Sequence, residues 1–419
     1  MPSSKEFIEM DLEYCAHNYH PIPVVISKAE GVWVYDPEGN KYLDCLSAYS
    51  SQNTGHCHPE VVKALKEQAD KVTLTSRAFH NDMMGPFLKK LCEIVGPHIN
   101  DPNKSGIMAL PMNTGTEAVE TGLKVARAWG YIKKKIPKDQ AHIVICRDNF
   151  HGRTITIVGF STDISAAKYY GNFGPYTPGF KIIPYGNAEE LENIILEIGP
   201  ERVAGFLFEP VQGEAGVKIP PEGYIKKARE ICSKYNVLMI ADEIQTGFGR
   251  TGELFACDHE NVKPDMLLLG KALGGGVYPV SGIVTTKEIV GPDVIKPGTH
   301  GSTFGGNPLA AAVAMKSLDI HVEDHLAERA KQLGDYFIDG LKKLAEKETI
   351  VPIKEVRGKG LLMAIEFATE ARHIVEMLKD NGILAKDTHS TTIRFAPPLI
   401  ITKEQVDWAL KVIEKVLVR

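Results

Sequence analysis

Short apolar runs alternate with helical patterns across the middle of this 419-residue chain. Between about residues 107 and 290 the runs include 143–146, 205–208, 237–241 and 266–269. None of them shows a polar residue at every second position, which is typical of strands buried on both faces. Because helical patterns separate the runs, the sequence predicts an α/β domain whose mostly parallel sheet is covered by helices.

Two flanking regions have different patterns. Residues 24–46 alternate around a turn at 36–40 and predict a β-meander. After about residue 308 a long helical stretch begins, and a smaller α/β unit follows it. Its expected elements are a strand at 361–367, a helix at 371–381, a strand at 392–396 and a helix at 403–418.

Composition narrows the class of protein. The net charge of -5 gives no support to nucleic-acid or membrane-surface binding. The seven cysteines are widely spread and form no CxxC pair, which favours free thiols in a reducing compartment. Residues 1–14 lack the apolar core of a signal peptide, and no apolar run approaches the ~20 residues that cross a bilayer. We therefore expect a soluble, cytoplasmic protein of two or three domains.

The most informative residues lie at the ends of two predicted strands. Asp242 follows the run 237–241, and Lys271 follows the run 266–269. The carboxyl ends of parallel strands bind ligands in α/β sheets, so this carboxylate and this amine can meet in one crevice. A pyridine-aldehyde cofactor uses such a pair, because the amine condenses with the aldehyde and the carboxylate keeps the ring nitrogen protonated. On spacing alone, a buried structural ion pair explains the two residues equally well.

Two weaker motifs point to the same chemistry. Residues 112–118 lead into a helix whose N-terminus can bind a phosphate, although Thr114 or Thr116 can equally be a simple N-cap. Residues 149–154 supply Phe150 to stack on a heteroaromatic ring and Arg153 to bind a carboxylate. Taken alone, the second motif is better explained as a core phenylalanine and a surface arginine.

Two other patterns are rejected. His56, Cys57 and His58 are metal-ligand types, but consecutive residues rarely converge on one ion, so no metal site is predicted. The glycines 274–276 follow Lys271, which reverses the order of a phosphate-binding GxxxxGK loop. GxGxxG is also absent from the predicted strand-to-helix turns, which argues against a nucleotide-dependent oxidoreductase.

Taken together, six segments resemble the class III aminotransferases, in order along nearly the whole chain. They are 113–118, 150–153, 209–214, 242–247, Lys271 and 301–308. Within this class the chain is most similar to the ornithine δ-aminotransferase branch, through 17–21, 46–50, 74–79, 212–216 and 393–398. The resemblance implies a homodimer of pyridoxal-phosphate fold-type I. Its large cofactor-binding domain would cover 50–307, and its small domain would combine 1–49 with 308–419.

The resemblance also implies the roles of single residues. Pyridoxal 5′-phosphate would be attached to Lys271, which later moves the proton, and Asp242 would meet its ring nitrogen. The other expected cofactor contacts are Gly115 and Thr116 at the phosphate, Phe150 on the ring, Gln245 at the phenolic oxygen, and Thr303 from the other subunit.

For the substrates, the resemblance implies that Arg153 and Tyr19 hold the α-carboxylate of ornithine in a pocket shaped by Tyr49. Arg394 would bind the second carboxylate of 2-oxoglutarate, and Glu214 would neutralise Arg394 while ornithine is bound. The implied ping-pong reaction moves the δ-amino group of L-ornithine to 2-oxoglutarate, giving glutamate 5-semialdehyde and glutamate. It belongs to proline biosynthesis or arginine catabolism.

Three alternatives remain open at this point. Acetylornithine and 4-aminobutyrate aminotransferases belong to the same class, and the combination of Tyr19 and Tyr49 with 214–216 distinguishes the ornithine branch from them. An inactive cofactor-binding scaffold is the alternative outside enzymes. The presence of Lys271, Asp242 and both arginines argues against that scaffold.

Overall fold

The computed structural model describes residues 2–163 and 170–419. An N-terminal helix, α1 (Ser4–Tyr14), precedes the strands β1 (Lys28–Glu30), β2 (Trp33–Tyr35) and β3 (Lys41–Asp44). The three strands pair in antiparallel order, so the expected meander is confirmed.

A seven-stranded sheet forms the centre of the described chain. Its strands are β4 (Ile107–Met112), β5 (His142–Cys146), β6 (Phe180–Ile183), β7 (Val203–Phe208), β8 (Leu238–Asp242), β9 (Met266–Leu269) and β10 (Ser281–Thr286). Their order is β4-β10-β9-β8-β7-β5-β6. Neighbouring strands from β6 to β9 pair in parallel, whereas β10 is antiparallel to both β9 and β4. The mostly parallel sheet is confirmed, and the reversed β10 is an addition to it.

Helices cover this sheet on both faces because its central strands are apolar on both. In β7, Phe206 and Phe208 point into one buried cluster, and Leu207 points into another on the opposite face. The longer helices in this part of the chain are α2 (Pro59–Ala69), α3 (Met84–Val95), α4 (Gly115–Ile132), α5 (Ala188–Ile198) and α6 (Tyr224–Lys234). The apolar stripe of α4 joins the Leu207 cluster, and those of α5 and α6 join the other. Short helices occupy Ile155–Val158 and Lys287–Val290, and 3-10 turns occupy Gly96–His98, Gly171–Phe173, Pro200–Arg202, Ala256–Glu260 and Lys271–Gly274.

The C-terminal part forms a second α/β unit. It begins with two long helices, α7 (Pro308–Glu323) and α8 (Leu326–Ala345). The remaining elements are β11 (Ile353–Lys359), β12 (Leu362–Phe367), α9 (Arg372–Asp380), β13 (Ile383–Leu384), β14 (Lys386–Thr388), β15 (Thr392–Phe395) and α10 (Lys403–Leu417). A four-stranded sheet has the order β11-β12-β15-β14. The expected strands and helices after residue 361 are confirmed, whereas β11, β13 and β14 were not predicted.

The N-terminal meander is joined to this C-terminal unit by backbone pairing. Strand β13 lies parallel to β3, with Ile383 opposite Leu43 and Leu384 opposite Asp44. This pairing supports a small domain built from both ends of the chain, although the division at residues 50 and 307 stays a prediction. Among the described helices, none is long and apolar enough to cross a membrane.

Candidate active site

Asp242 and Lys271 line the same cavity, which has a volume of about 260 Å³. Asp242 is the last residue of β8, and Lys271 lies two residues beyond the adjacent parallel strand β9. The predicted convergence at the strand ends is therefore confirmed. Lys271 has a φ of 41°, a left-handed conformation that is strained for lysine and of a kind that concentrates at functional sites.

The Lys271 side chain is half-buried, and its amine has no direct partner among the described residues. Its Nζ forms no hydrogen bond or ion pair with any residue in the described ranges. Lys271 and Asp242 therefore do not form the structural ion pair that their spacing also allowed. Burial lowers the pKa of Lys271 to about 8, and the nearby carboxylates of Glu214 and Asp242 oppose this effect only in part. A lysine with such a pKa has an appreciable neutral fraction near pH 7 to 8, which makes it a nucleophile.

Asp242 is held by His151 rather than by the lysine. The His151 Nδ1 lies 2.6 Å from the Asp242 Oδ2, and the Ile244 N–H donates to the Oδ1 at 3.1 Å. Burial opposes protonation of His151, but the hydrogen bond and the charge of Asp242 outweigh it and raise the pKa of the imidazole. The carboxylate is thereby fixed at the wall of the cavity, the geometry that a protonated pyridine nitrogen requires.

A second carboxyl group, that of Glu209, lines the cavity close to this pair. Its Oε1 accepts a 2.9 Å hydrogen bond from the backbone N–H of Phe150. Burial, reinforced by the charge of Asp242, raises the pKa of Glu209 to about 8. Glu209 is therefore mostly neutral at pH 7 and adds little negative charge beside Asp242.

The N-terminus of α4 offers unpaired amide groups to the cavity. Thr114 is the N-cap and forms a capping box with Glu117, so the simple capping interpretation is correct for this residue. The N–H groups of Gly115 and Thr116 donate to no described residue, and both residues line the cavity. A Cβ on Gly152 would lie 2.2 Å from the Thr116 Oγ1, so glycine is required for this close approach.

Phe150, Arg153 and Tyr19 form one side of the site. The Arg153 guanidinium carbon lies 5.0 Å from the centre of the Phe150 ring and 5.8 Å from that of Tyr19. Its Nη1 also donates to the Tyr19 hydroxyl at 3.4 Å. Arg153 is exposed and, within the described residues, forms no ion pair, so it can receive a substrate carboxylate.

Glu214, Arg394, Gln245 and Tyr49 form the opposite side. The Arg394 Nη1 donates to the Glu214 Oε1 at 2.8 Å, and the guanidinium carbon lies 5.1 Å from the centre of the Tyr49 ring. The Gln245 Nε2 donates to the Glu214 Oε1 at 3.4 Å and to the Tyr49 carbonyl at 3.3 Å. These four residues come from distant parts of the chain, and the fold brings them together as predicted.

Thr303 is the one predicted site residue that is placed elsewhere. It is exposed and does not line the cavity of its own chain. The sequence interpretation assigned Thr303 to the other subunit, and that assignment stays a prediction.

His151 and Glu209 were present in the quoted motifs but received no role from sequence reasoning. Strand β7 lies between β5 and β8, so the approach of His151 to Asp242 becomes visible only once the strand order is known. The available signal was the position of each residue just beyond the end of an apolar strand.

Comparison with known proteins decides the family. Residues 14–417 match the family model described as aminotransferase class-III. The chain is a class III aminotransferase. This class III chain is 54% identical over 417 residues to an ornithine aminotransferase of Brevibacillus brevis, covering 100% of the chain and 99% of the relative. It is 52% identical over 417 residues to one of Bacillus subtilis, covering 100% and 98%.

Solved structures of related enzymes have the same fold. The ornithine aminotransferase of Toxoplasma gondii, reported with partial occupancy of PLP at its active site, gives a TM-score of 0.93 at 46% identity. The alignment covers 99% of this class III chain and 94% of that one. The acetylornithine aminotransferase of Elizabethkingia anophelis gives a TM-score of 0.87 at 47% identity, covering 99% of both chains.

Class III aminotransferases depend on pyridoxal 5′-phosphate, and the cavity of this member fits that cofactor. It combines an unpartnered lysine amine of lowered pKa, a fixed carboxylate and two unpaired helix N-terminal amides. These are the donor types that an aldehyde, a pyridine nitrogen and a phosphate need. Among the described residues, no group of three or more His, Cys, Asp or Glu side chains is arranged to hold a metal ion.

Proposed function

We propose that this aminotransferase moves the δ-amino group of L-ornithine to 2-oxoglutarate, giving glutamate 5-semialdehyde and glutamate in a ping-pong cycle. The observation that carries the proposal is the different state of two arginines in one site. Arg153 is exposed and forms no ion pair among the described residues, whereas Arg394 is 1% exposed and forms an ion pair with Glu214. The names of the bacterial relatives support the same substrate.

The two arginines suit the two substrates. Ornithine carries one carboxylate, and Arg153 with Tyr19 would bind it so that the δ-amine, rather than the α-amine, extends toward Lys271. 2-Oxoglutarate carries two carboxylates and needs a second cation. Arg394 supplies that cation once Glu214 moves away, so one site can accept both molecules in turn.

Within the proposal, each remaining residue holds the cofactor or moves a proton. When bound, pyridoxal phosphate supplies the aldehyde that accepts the amino group and the ring that takes up the electrons of the broken C–H bond. Lys271 would hold the cofactor covalently and, once released, would carry the proton. Asp242 would keep the ring nitrogen protonated, Phe150 would stack on the ring, and Gln245 would reach its phenolic oxygen. Gly115 and Thr116 would bind the phosphate.

We also propose an oligomeric state, a cellular location and a metabolic role for this aminotransferase. We assign Thr303 to the phosphate site of the partner subunit in a homodimer, with the large domain at 50–307. The exposure of Thr303 and of the neighbouring Phe304, 49% exposed, supports an interface at this segment. The reaction would take place in the cytoplasm and serve proline biosynthesis or arginine catabolism.

A comparison of amino donors tests the substrate. The purified holoenzyme is mixed with 2-oxoglutarate and, separately, with ornithine, N-acetylornithine or 4-aminobutyrate, and kcat/KM is measured for each. Ornithine is expected to be the best donor. Because the acetylornithine enzyme of Elizabethkingia anophelis is similarly close, a preference for N-acetylornithine would replace this proposal with the second candidate.

A further inference from the structure

A left-handed turn at residues 47–50 contains Tyr49, one of the residues on the Arg394 side of the site. The consecutive residues Ser47, Ala48, Tyr49 and Ser50 have φ values of 51°, 47°, 58° and 70°. None of them is glycine, and successive left-handed residues with a Cβ are sterically unfavourable. Such a conformation persists only where the surrounding structure imposes it, and it is found mostly at functional sites.

The surrounding structure holds the turn through Asp44. The Asp44 Oδ1 accepts hydrogen bonds from the backbone N–H groups of Leu46 at 2.8 Å and Ser47 at 2.9 Å. Its Oδ2 is held by the His56 Nε2 at 2.7 Å, and both side chains are largely buried. The backbone of His56 is itself fixed by two hydrogen bonds with Gly31. His56 belongs to the 56–58 motif that forms no metal site among the described residues.

The turn places Tyr49 against two residues of the site. The Tyr49 ring lies 5.1 Å from the Arg394 guanidinium carbon, and the Tyr49 carbonyl accepts a hydrogen bond from Gln245. The hydroxyl groups of Ser47 and Ser50 are buried and have no hydrogen-bond partner in the described chain, so they do not hold the turn. The side-chain hydrogen bonds to this segment come from Asp44 at its start and Gln245 at its centre.

We propose that His56 and Asp44 are positioning residues for carboxylate binding, because they hold the left-handed turn that sets Tyr49 against Arg394. The inference rests on the proposed function, in which Arg394 binds the second carboxylate of 2-oxoglutarate. It assigns no chemical step to His56. It predicts that loss of the His56–Asp44 hydrogen bond weakens dicarboxylate binding at a site that His56 does not line.

Binding of glutarate to the holoenzyme tests the inference, because this five-carbon dicarboxylate has no reactive carbonyl. Titration calorimetry gives its Kd for wild type, His56→Ala and His56→Gln, whose amide can still donate to Asp44. We expect the Kd to rise about fivefold or more in His56→Ala and to stay near the wild-type value in His56→Gln. The KM for 2-oxoglutarate should rise in parallel, with a smaller change in kcat.

His98→Ala is the matched control. His98 forms the same type of pair with Asp258, at 2.8 Å, and does not line the cavity. It should lower the melting temperature without changing the Kd of glutarate. Should His56→Ala fail to fold, Asp44→Asn replaces it in the same comparison.

Three results have distinct meanings. A folded His56→Ala with unchanged glutarate binding overturns the inference and leaves the proposed function intact. Equal weakening by His98→Ala also overturns it, because the effect would then reflect general instability. A wild type that does not transfer the amino group of ornithine to 2-oxoglutarate overturns the proposed function and, with it, the inference.

Discussion

Glu214 and Arg394 form a 2.8 Å ion pair inside the site, in which the arginine side chain is 1% exposed and the glutamate 24%. Burial by itself raises the pKa of Glu214, but the charges of Arg394 and Lys271 outweigh it and lower the pKa to about 2. The pair is therefore charged throughout the neutral range. In the proposed reaction, Arg394 would stay paired with Glu214 until a substrate carboxylate displaces that glutamate.

Removing the Glu214 charge should change the choice of substrate. Glu214→Ala frees Arg394 for any α-carboxylate, so the half-reaction with glutamate should gain relative to that with ornithine. A tenfold change in this ratio corresponds to about 1.4 kcal/mol. Stopped-flow measurement of the two half-reactions checks it, and Arg394→Ala should instead weaken 2-oxoglutarate and spare ornithine.

Glu366→Ala is the matched control for this prediction. It removes the carboxylate of a second arginine pair, Arg357–Glu366 at 2.7 Å, which does not line the cavity. The ratio of the half-reactions should not move. Equal slowing of both half-reactions in Glu214→Ala would contradict the proposed switch.

His151→Ala should impair catalysis through Asp242. Without the 2.6 Å hydrogen bond the carboxylate keeps only the bond from the Ile244 N–H, and kcat is expected to fall about 10- to 100-fold. Asp242→Ala should cost more, several kcal/mol in the barrier, because it removes the charge itself. Single-turnover rates with saturating cofactor measure both effects. Wild-type rates in His151→Ala beside an impaired Asp242→Ala would show that the histidine does not position the carboxylate.

Cofactor uptake by the apoenzyme should depend on pH through Lys271. The reactive form is the neutral amine, and its pKa is lowered from 10.5 to about 8, so the uptake rate should rise with pH and reach half its maximum near pH 8. The absorbance of the attached cofactor follows uptake. Lys271→Ala should show no covalent attachment and no transamination. A midpoint near the ordinary lysine value would mean that burial does not shift this amine.

Thr303→Ala should weaken cofactor retention if the homodimer shares its sites. Cofactor affinity in wild type should also fall on dilution below the dimer dissociation constant. Thr299→Ala, a change in the same exposed segment, serves as the control because its hydroxyl bonds only the Lys296 carbonyl among the described residues. A monomer with full cofactor affinity would rule out the shared site.

Elements that have a clear local hydrophobic pattern could be predicted from the sequence. Apolar runs predict the strands β5, β7, β8 and β9, and the residues at their carboxyl ends, such as Asp242, follow directly. Strand β10 was not predicted because Ser281 and two threonines make its pattern ambiguous.

What could not be predicted depends on contacts between distant residues. The His151–Asp242 bond joins the segment after β5 to the end of β8, and β7 lies between these two strands, so the bond depends on strand order. The positive φ values of the turn at Ser47–Ser50 could not be predicted, because the turn contains no glycine. Asp44 and His56, which lie outside the turn, hold it in this conformation. The proposed contact of Thr303 with the cofactor would need a second chain, so the residues of one chain cannot reveal it.

The proposed function requires that the δ-amino group of ornithine, and not its α-amino group, is transferred. Two samples of ornithine, labelled with ¹⁵N at either the δ or the α position, are incubated with the holoenzyme and unlabelled 2-oxoglutarate. Mass spectrometry then locates the label. We expect δ-¹⁵N to appear in glutamate and α-¹⁵N to stay in glutamate 5-semialdehyde. Label reaching glutamate from the α position, or from neither position, would contradict it.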